Sequence, residues 1–149
     1  MHITLQFLGE TESNKIDSIV QAMQQGVKDI PMFAVKTGKL GIFGSRYQPR
    51  VLWLEVEKIA ALEQLHQQLQ KAMKQIGFKS DFGNFVPHLT LARINKIHDK
   101  RFFWNKIESL PQNFTQQIQV NKIILYESTL HDHVPLYHKI AEIPLSEKN

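Results

Sequence analysis

The chain has 149 residues and a formal net charge of +4, and 42% of its residues are hydrophobic and 21% charged. This balance excludes intrinsic disorder, and no apolar run approaches the roughly 20 residues that cross a bilayer. The lack of cysteine excludes disulfides, thiolate metal sites and cysteine nucleophiles. No signal peptide is visible, so we expect a cytoplasmic protein with a single domain, residues 1–149. Its basic charge favours anionic partners, although charge alone is equally compatible with an unspecific basic surface.

The first half of the chain predicts strands and helices in alternation. Ile3 to Leu8 alternates loosely between apolar and polar residues and predicts a strand. Ser13 is a suitable cap for a helix whose apolar residues are spaced three and four apart. These residues are Ile16, Ile19, Val20, Met23 and Val27. Phe33 to Leu40 predicts a second strand, a glycine-containing loop ends at Pro49, and Val51 to Val56 predicts a third strand.

The second half opens with the clearest helix, Ile59 to Ile76, which Gly77 is suited to end. Its apolar stripe consists of Leu62, Leu65, Leu69, Ala72, Met73 and Ile76. The further predicted elements are a loop from Asp81 to Pro87, a helix from Asp99 to Leu110, and strands at Val86 to Ile94, Phe114 to Tyr126 and Leu136 to Ile143. Mixed elements joined by short turns predict an α+β fold with largely antiparallel sheets.

One four-residue motif, H-x-T-L, occurs twice, each time at the start of a predicted strand. Its two copies are His2-Ile3-Thr4-Leu5 and His88-Leu89-Thr90-Leu91. Side chains at positions i and i+2 of a strand share a face. Each histidine therefore lies beside the threonine of its own copy, while the apolar residues point to the opposite face and anchor the strand.

Two imidazoles and two hydroxyls on one cleft suit the hydrolysis of a phosphodiester. One imidazole removes a proton from water, the other protonates the departing oxygen, and the hydroxyls donate hydrogen bonds to the phosphate. The sequence thus predicts His2 and His88 as the catalytic pair and Thr4 and Thr90 as phosphate ligands, with no metal or cofactor. A single such histidine is more often a surface residue, but two matched copies favour the catalytic interpretation.

The longer strings around both motifs resemble those of a known family. HITLQFLGE (residues 2–10) and FVPHLTLAR (residues 85–93) are similar to the 2H phosphoesterase superfamily. The similarity is greatest to the bacterial RNA 2′,3′-cyclic phosphodiesterases, once called 2′–5′ RNA ligases. Further matching segments are Gly41-Ile42-Phe43, Arg50-Val51-Leu52-Trp53-Leu54 and Leu125-Tyr126-Glu127-Ser128 with Tyr137.

The resemblance implies a bilobal α+β fold with two antiparallel-rich sheets, flanking helices and pseudo-twofold symmetry, each lobe giving one HxT strand to a central cleft. The implied activity is to open a 2′,3′-cyclic phosphate at an RNA end, which leaves a 2′-phosphate. Some members of the family also join tRNA halves through 2′–5′ linkages. His2 would protonate the leaving oxygen, His88 would activate water, and Arg93 would steady the phosphate charge. The implied partner is RNA and the implied state a monomer. The residues themselves do not separate the two histidines.

This chain differs from the family's pattern at its start. In the family a strand and a helix precede the first motif, whereas here His2 directly follows Met1. The comparison therefore predicts an N-terminally truncated chain, and a start codon assigned too late is favoured over a real truncation.

Several other residues receive the more ordinary interpretation. His131, Asp132 and His133 predict a solvated turn rather than a metal site, and Trp53 predicts a core residue rather than a base-stacking one. Basic residues around the glycine loop would suit either an RNA backbone or a solvated surface, and both interpretations stay open. These residues are Lys36, Lys39, Arg46 and Arg50.

Two alternatives keep the same cleft but change its use. In the first, the enzyme hydrolyses a small cyclic nucleotide instead of an RNA end. In the second, the cleft binds RNA or nucleotides without turnover, as a recognition module.

Overall fold

The computed structural model describes residues 1–79, 85–111, 113–131 and 134–147. Its elements in chain order are α1 (Ile16–Val27), β1 (Phe33–Gly44), β2 (Pro49–Val56), α2 (Ala60–Gln75), β3 (His88–Arg93), α3 (Lys100–Ser109), β4 (Gln117–Val120), β5 (Lys122–His131) and β6 (Val134–Pro144). Helices and antiparallel strands are mixed, which confirms the α+β prediction. No helix of the described residues is long and apolar enough to span a membrane.

By its internal contacts the chain divides into two units, which are described separately. Unit 1 comprises Met1–Leu5, Val35–Lys58 and Asn84–Ile118. Unit 2 comprises Gln6–Ala34, Ile59–Gly83 and Gln119–Asn149.

Unit 1 is built on a sheet with the strand order β3-β2-β1-β4, in which β1 and β3 each pair antiparallel with β2. Its buried residues in β1 and β2 are Val35, Thr37, Pro49 and Val56. The Thr37 hydroxyl donates to the carbonyl of Phe114 and accepts from the Gln116 amide at 2.9 Å, so this buried polar group is satisfied.

The turn between β1 and β2 is shorter than the glycine-containing loop that the sequence predicts. Gly38 and Gly41 lie within β1, and only Ser45 to Gln48 separates the strands. The Ser45 amide donates to the Gln48 carbonyl at 3.2 Å and the Gln48 amide donates back at 3.1 Å. Gly44 enters this turn at φ 105°, a conformation that glycine adopts without a steric penalty.

Unit 2 is built on the pairing of α1 with α2 and on the β5–β6 hairpin. The stripe of α2 is buried from Leu62 to Met73 as its spacing predicts, whereas Ile76, beyond the end of the helix, is only partly buried. Leu62, Leu65 and Met73 are each only 1% exposed. Gly26 of α1 permits a close helix contact, since a Cβ there would lie 3.2 Å from the Ala72 Cβ. Burying these side chains supplies the main stabilising free energy of the unit.

The ends of the helices show where local signals succeed and fail. Gly77, at φ 93°, follows α2; its amide donates to the Lys74 carbonyl and the Phe78 amide donates to the Met73 carbonyl, which together form a Schellman cap. The predicted cap at Ser13 is wrong, because Ser13 lies in a short 3-10 turn that precedes α1 and its side chain caps nothing.

Two strand predictions also need correction. Within Ile3 to Leu8 only Ile3 takes part in β pairing, through an isolated bridge to Leu89. The strand predicted from Phe114 to Tyr126 is instead divided between β4 and β5, with a break at Asn121. The predicted loop from residue 81 to 87 falls in part on residues 81–84, which lie outside the described residues.

Candidate active site

The bridge between Ile3 and Leu89 brings the two copies of the motif together. The pairing is antiparallel, so its register places His2 opposite Thr90 and Thr4 opposite His88. Directly opposed residues of an antiparallel pair have Cα atoms about 4.5–5.5 Å apart and side chains on the same face. Extended by one residue on each side of the bridge, this register would put all four polar motif residues on one face.

The apolar motif residues show how this face is held. Leu89, on the opposite face from the histidines, is buried with 8% of its surface exposed. His88 and Thr90 on the same strand are partly exposed, and His2 and Thr4 are exposed. The alternation predicted from the sequence thus holds from His88 to Thr90, but it is wrong at Leu91, which is 42% exposed instead of anchoring the strand.

Both motif segments belong to unit 1. The Ile3–Leu89 bridge accounts for this, because it joins the N-terminal segment to β3. That each lobe gives one HxT strand stays a prediction.

His88 has a defined orientation. Its Nδ1 lies 2.8 Å from the carbonyl oxygen of Val86, and because a carbonyl only accepts, Nδ1 carries the hydrogen. In the neutral imidazole the lone pair is then on Nε2. The ring also meets Phe43 edge-on at 4.9 Å and Trp53 at 5.9 Å between centroids, so aromatic contacts fix its plane.

Trp53 lies on the polar face rather than in the core, so the core interpretation is wrong. It is paired across the sheet with Thr90 on one side and Gly41 on the other, and its ring stacks on Phe43 at 4.9 Å. Its indole Nε1 is inaccessible to solvent and has no hydrogen-bond partner among the described residues. A Cβ at position 41 would overlap the indole ring, so glycine is required beneath it.

Neither Phe43 nor Glu55 was recognised from the sequence as a neighbour of the site. Glu55 is paired with His88 across β2 and β3, and its carboxylate accepts from the Lys39 amide at 3.3 Å. Both neighbours follow from strand register, which a single sequence does not contain.

Arg93 reaches the polar face because β3 is irregular. It follows His88 by five positions, an odd spacing that would put it on the opposite face of a regular strand. The register, however, shifts between the Thr90–Trp53 and Ala92–Leu52 pairs, so Leu91 is an extra residue. Arg93 consequently lies opposite Val51, on the face of Trp53 and Thr90.

The electrostatics of His2 agree with this placement. Partial desolvation of the imidazole lowers the pKa of His2, the α-ammonium group of Met1 lowers it further, and the charge of Arg93 adds to the effect. The neutral form of His2 is therefore favoured before an anion binds.

Metal-binding side chains do not gather within the part of the chain that the structure describes, where no group of three such residues could hold an ion. Of the His131-Asp132-His133 string, only His131 is described, as an exposed residue at the end of β5. Asp132 and His133 lie outside the described residues, so the interpretation of this string remains a prediction.

The chain is similar in sequence to a known protein family and to several curated bacterial proteins. A family model described as the 2′-5′ RNA ligase superfamily matches residues 1–132. The chain is 32% identical to the RNA 2′,3′-cyclic phosphodiesterase of Thermotoga maritima over 95% of this chain and 74% of that protein. It is 34% identical to the Geobacillus stearothermophilus protein of the same name over 97% of this chain but only 45% of that protein.

The fold has close counterparts among solved structures. The crystal structure of TT0787 of Thermus thermophilus matches with a TM-score of 0.82 and 21% identity, covering 99% of this chain and 79% of that one. This likeness confirms the predicted fold class. The family model and the T. maritima relative together show that the chain belongs to the 2′-5′ RNA ligase superfamily.

Proposed function

We propose that this chain hydrolyses 2′,3′-cyclic phosphates at RNA ends, with His2 and His88 as its catalytic residues. The observation that supports the proposal is the antiparallel Ile3–Leu89 bridge, whose register, extended by one residue on each side, would set both HxT pairs on one face. The curated relatives from T. maritima and G. stearothermophilus are named RNA 2′,3′-cyclic phosphodiesterases, which supports this reaction class.

His88 is the general base. Its Nδ1 hydrogen is engaged by the Val86 carbonyl, so Nε2 of the neutral ring is available to take a proton from water. The water oxygen then forms a bond to phosphorus as its proton passes to Nε2. The bond between phosphorus and the 3′ oxygen breaks, and a 2′-phosphate remains.

His2 is the general acid and protonates the departing 3′ oxygen. Its lowered pKa opposes this role in the free protein, where desolvation and the positive charges around it favour the neutral imidazole. A bound phosphate anion offsets that repulsion and stabilises the imidazolium. Substrate binding therefore supplies the protonated form that the reaction needs.

Thr4, Thr90 and Arg93 hold the phosphate in this proposal. The hydroxyls donate hydrogen bonds to the non-bridging oxygens, and the guanidinium of Arg93 compensates the charge that builds on them. These groups stabilise the transition state more than the ground state, so losing one lowers kcat. The chemistry uses no metal or cofactor.

The proposal extends to the finer properties that the family resemblance implies. The RNA would be a fragment such as a tRNA half, and the reversal of cleavage at 2′–5′ linkages would give a ligase activity at the same site. We further propose that the chain is a monomer with one domain and works in the cytoplasm. The lack of cysteine is compatible with that compartment, where disulfides are rare.

The test is hydrolysis of an oligonucleotide that ends in a 2′,3′-cyclic phosphate, measured with EDTA present. His2→Ala and His88→Ala should each lower kcat about 10²–10⁴-fold, the range of general acid–base catalysis. His138→Ala is the matched control, since His138 lies on β6 in unit 2. The product should carry a 2′-phosphate, identified by its resistance to a 3′-specific phosphatase.

Other outcomes would contradict the proposal. A 3′-phosphate product would reverse the assignment of the leaving oxygen. Binding of the oligonucleotide without turnover would favour the recognition module, and turnover confined to small cyclic nucleotides would favour the alternative substrate.

A further inference from the structure

A second surface of unit 1 combines basic and aromatic residues outside the catalytic face. Two shallow depressions adjoin here and share Tyr47 and Lys100 in their linings. We call this surface the basic-aromatic patch. It is defined by Arg46, Tyr47, Arg50, Lys96, Lys100 and Arg101.

The patch has an excess of positive charge. It contains five cationic side chains, whereas none of the described residues that line the two depressions is acidic. Glu108 forms an ion pair with Arg46 at 3.0 Å and offsets that one charge, and the Asp99 carboxylate accepts from the Phe102 amide at 2.8 Å to cap α3. Such an excess attracts a polyanion.

The patch also exposes an aromatic ring that the fold itself does not use. Tyr47, in the turn between β1 and β2, is 84% exposed. The turn is nevertheless held in place, because the Trp104 indole donates to the Arg46 carbonyl at 3.2 Å and the Arg46 guanidinium lies 4.9 Å from the Trp104 ring centroid. An exposed aromatic ring on a fixed turn is suited to stack on a nucleobase.

The patch begins where the strands of the catalytic face end. The Ile94 amide donates to the Arg50 carbonyl at 2.8 Å, which continues the β2–β3 ladder by one step beyond Arg93. Arg50 is three residues from Trp53 along β2, about 10 Å at the rise of a strand. The odd spacing puts the Arg50 side chain on the other side of the strand from Trp53, so RNA whose end lies at the two histidines would reach the patch around the end of β2.

We propose that the basic-aromatic patch binds the single-stranded RNA segment that precedes the cyclic phosphate. The phosphates of that segment contact Arg50, Lys96, Lys100 and Arg101, and one base stacks on Tyr47. This inference rests on the proposed function for its substrate. It adds that the enzyme distinguishes an oligonucleotide from a mononucleotide or dinucleotide by contacts far from the reacting bond.

The test compares two substrates with the same cyclic phosphate end, a dinucleotide and a strand of about ten nucleotides, which is within the usual length of a single-strand binding site. In the double variant Lys100→Glu/Arg101→Glu, kcat/KM for the long strand should fall about tenfold or more, while that for the dinucleotide stays unchanged. Tyr47→Ala should lower it for the long strand about tenfold as well.

Binding is measured separately, by the fluorescence anisotropy of a labelled strand of the same length that ends in a plain hydroxyl. The slope of log Kd against log salt should decrease by about 1.4 in the double variant, since each lost single-strand phosphate contact contributes about 0.7. Lys28→Glu/Lys71→Glu is the control: it makes the same change in net charge at two exposed residues of unit 2 and should leave the slope unchanged.

Three results would overturn the inference. They are unchanged binding and turnover of the long strand in the patch variants, an equal loss for the dinucleotide, or displacement of the RNA by polyglutamate at equal charge concentration. The last would mark a general anion surface. If the wild type turns over neither substrate, the proposed function fails, and the anisotropy measurement still decides whether the patch binds RNA.

Discussion

His2 and His88 carry the same motif but lie in different surroundings. The Nδ1 of His88 donates to the Val86 carbonyl, which presents Nε2 as an acceptor. His2 is subject to desolvation, to the Met1 ammonium group and to the charge of Arg93, all of which lower its pKa. The sequence alone gives no order of proton donor and acceptor, because both copies read H-x-T-L. The difference comes from neighbours that the fold supplies.

This asymmetry predicts how the rate depends on pH. Both kcat/KM and kcat should be bell-shaped, since one histidine must be neutral and the other charged. As pH rises, His2 loses the proton that it must donate, and its lowered pKa in the free protein brings the fall of kcat/KM to a lower pH. The fall of kcat should occur at higher pH, because bound phosphate favours the imidazolium.

The measurement is a pair of steady-state profiles from about pH 5 to about pH 9, a range that covers the titration of histidine on both sides. Coincident alkaline limbs would mean that substrate does not stabilise the charged form of His2. A rate that rises monotonically over this range would contradict the mechanism with two histidines.

Among the elements, the helices were predicted best and the strand partners worst. The stripe of α2 is a local pattern, so its bounds agree with Ile59 to Ile76 to within a residue at each end. A strand depends on a partner elsewhere in the chain. The alternation from Ile3 to Leu8 therefore predicts a strand of which only Ile3 is paired. The Trp53–Thr90 pairing has no signal in the sequence, because the two residues belong to separate strands.

The aromatic rings of Phe43 and Trp53 pack beside His88. The Trp53 ring lies directly over Gly41, so β1 and β2 can approach this closely only because position 41 has no side chain. Gly41→Ala should displace the Trp53 ring, lower the free energy of unfolding by about 1–3 kcal/mol and reduce kcat. Urea denaturation and steady-state kinetics measure the two effects.

Gly38→Ala is the matched control on the same strand. Its new Cβ would meet the Glu55 Oε2 at 2.9 Å, the end of a side chain that can swing away, so the free energy of unfolding should change by no more than about 0.5 kcal/mol. Equal losses in both variants would show that the Trp53 contact has no particular importance.

At the scale of the whole molecule, the candidate catalytic residues are concentrated in one unit. His2, Thr4, His88, Thr90 and Arg93 all belong to unit 1, whereas α1, α2 and the β5–β6 hairpin belong to unit 2. The order of the predicted elements indicated the α+β class, and the resemblance of the strings around both motifs indicated the family; both predictions are confirmed. The division into units depends on long-range contacts, so it was not accessible from the sequence.

This distribution predicts a variant that loses stability but not chemistry. Leu65→Ala removes a side chain that is 1% exposed in unit 2 and should lower the free energy of unfolding by about 2–5 kcal/mol. At a temperature where the variant is still folded, its kcat should equal that of the wild type. Circular dichroism melts combined with active-site titration would test this, and a lower kcat per folded molecule would contradict it.

Leu91, the extra residue in β3, can be deleted to test whether the bulge itself is needed. Removing Leu91 would leave His88-Leu89-Thr90-Ala92-Arg93, in which arginine follows threonine by two positions, on the same face of a regular strand. The partners in β2 would not change, since Ala92 already lies opposite Leu52 and Arg93 opposite Val51.

We therefore expect the Leu91 deletion to keep kcat/KM within about tenfold of the wild type, whereas Arg93→Gln lowers it on the order of a hundredfold by removing a charge from the phosphate. A deletion as damaging as Arg93→Gln would show that the bulge has a purpose beyond aiming the arginine. If the deletion is tolerated, the spacings H-x-T-x-R and H-x-T-x-x-R form the same site. Chains with either spacing should then be aligned by the position of the arginine on the strand face and not by residue count.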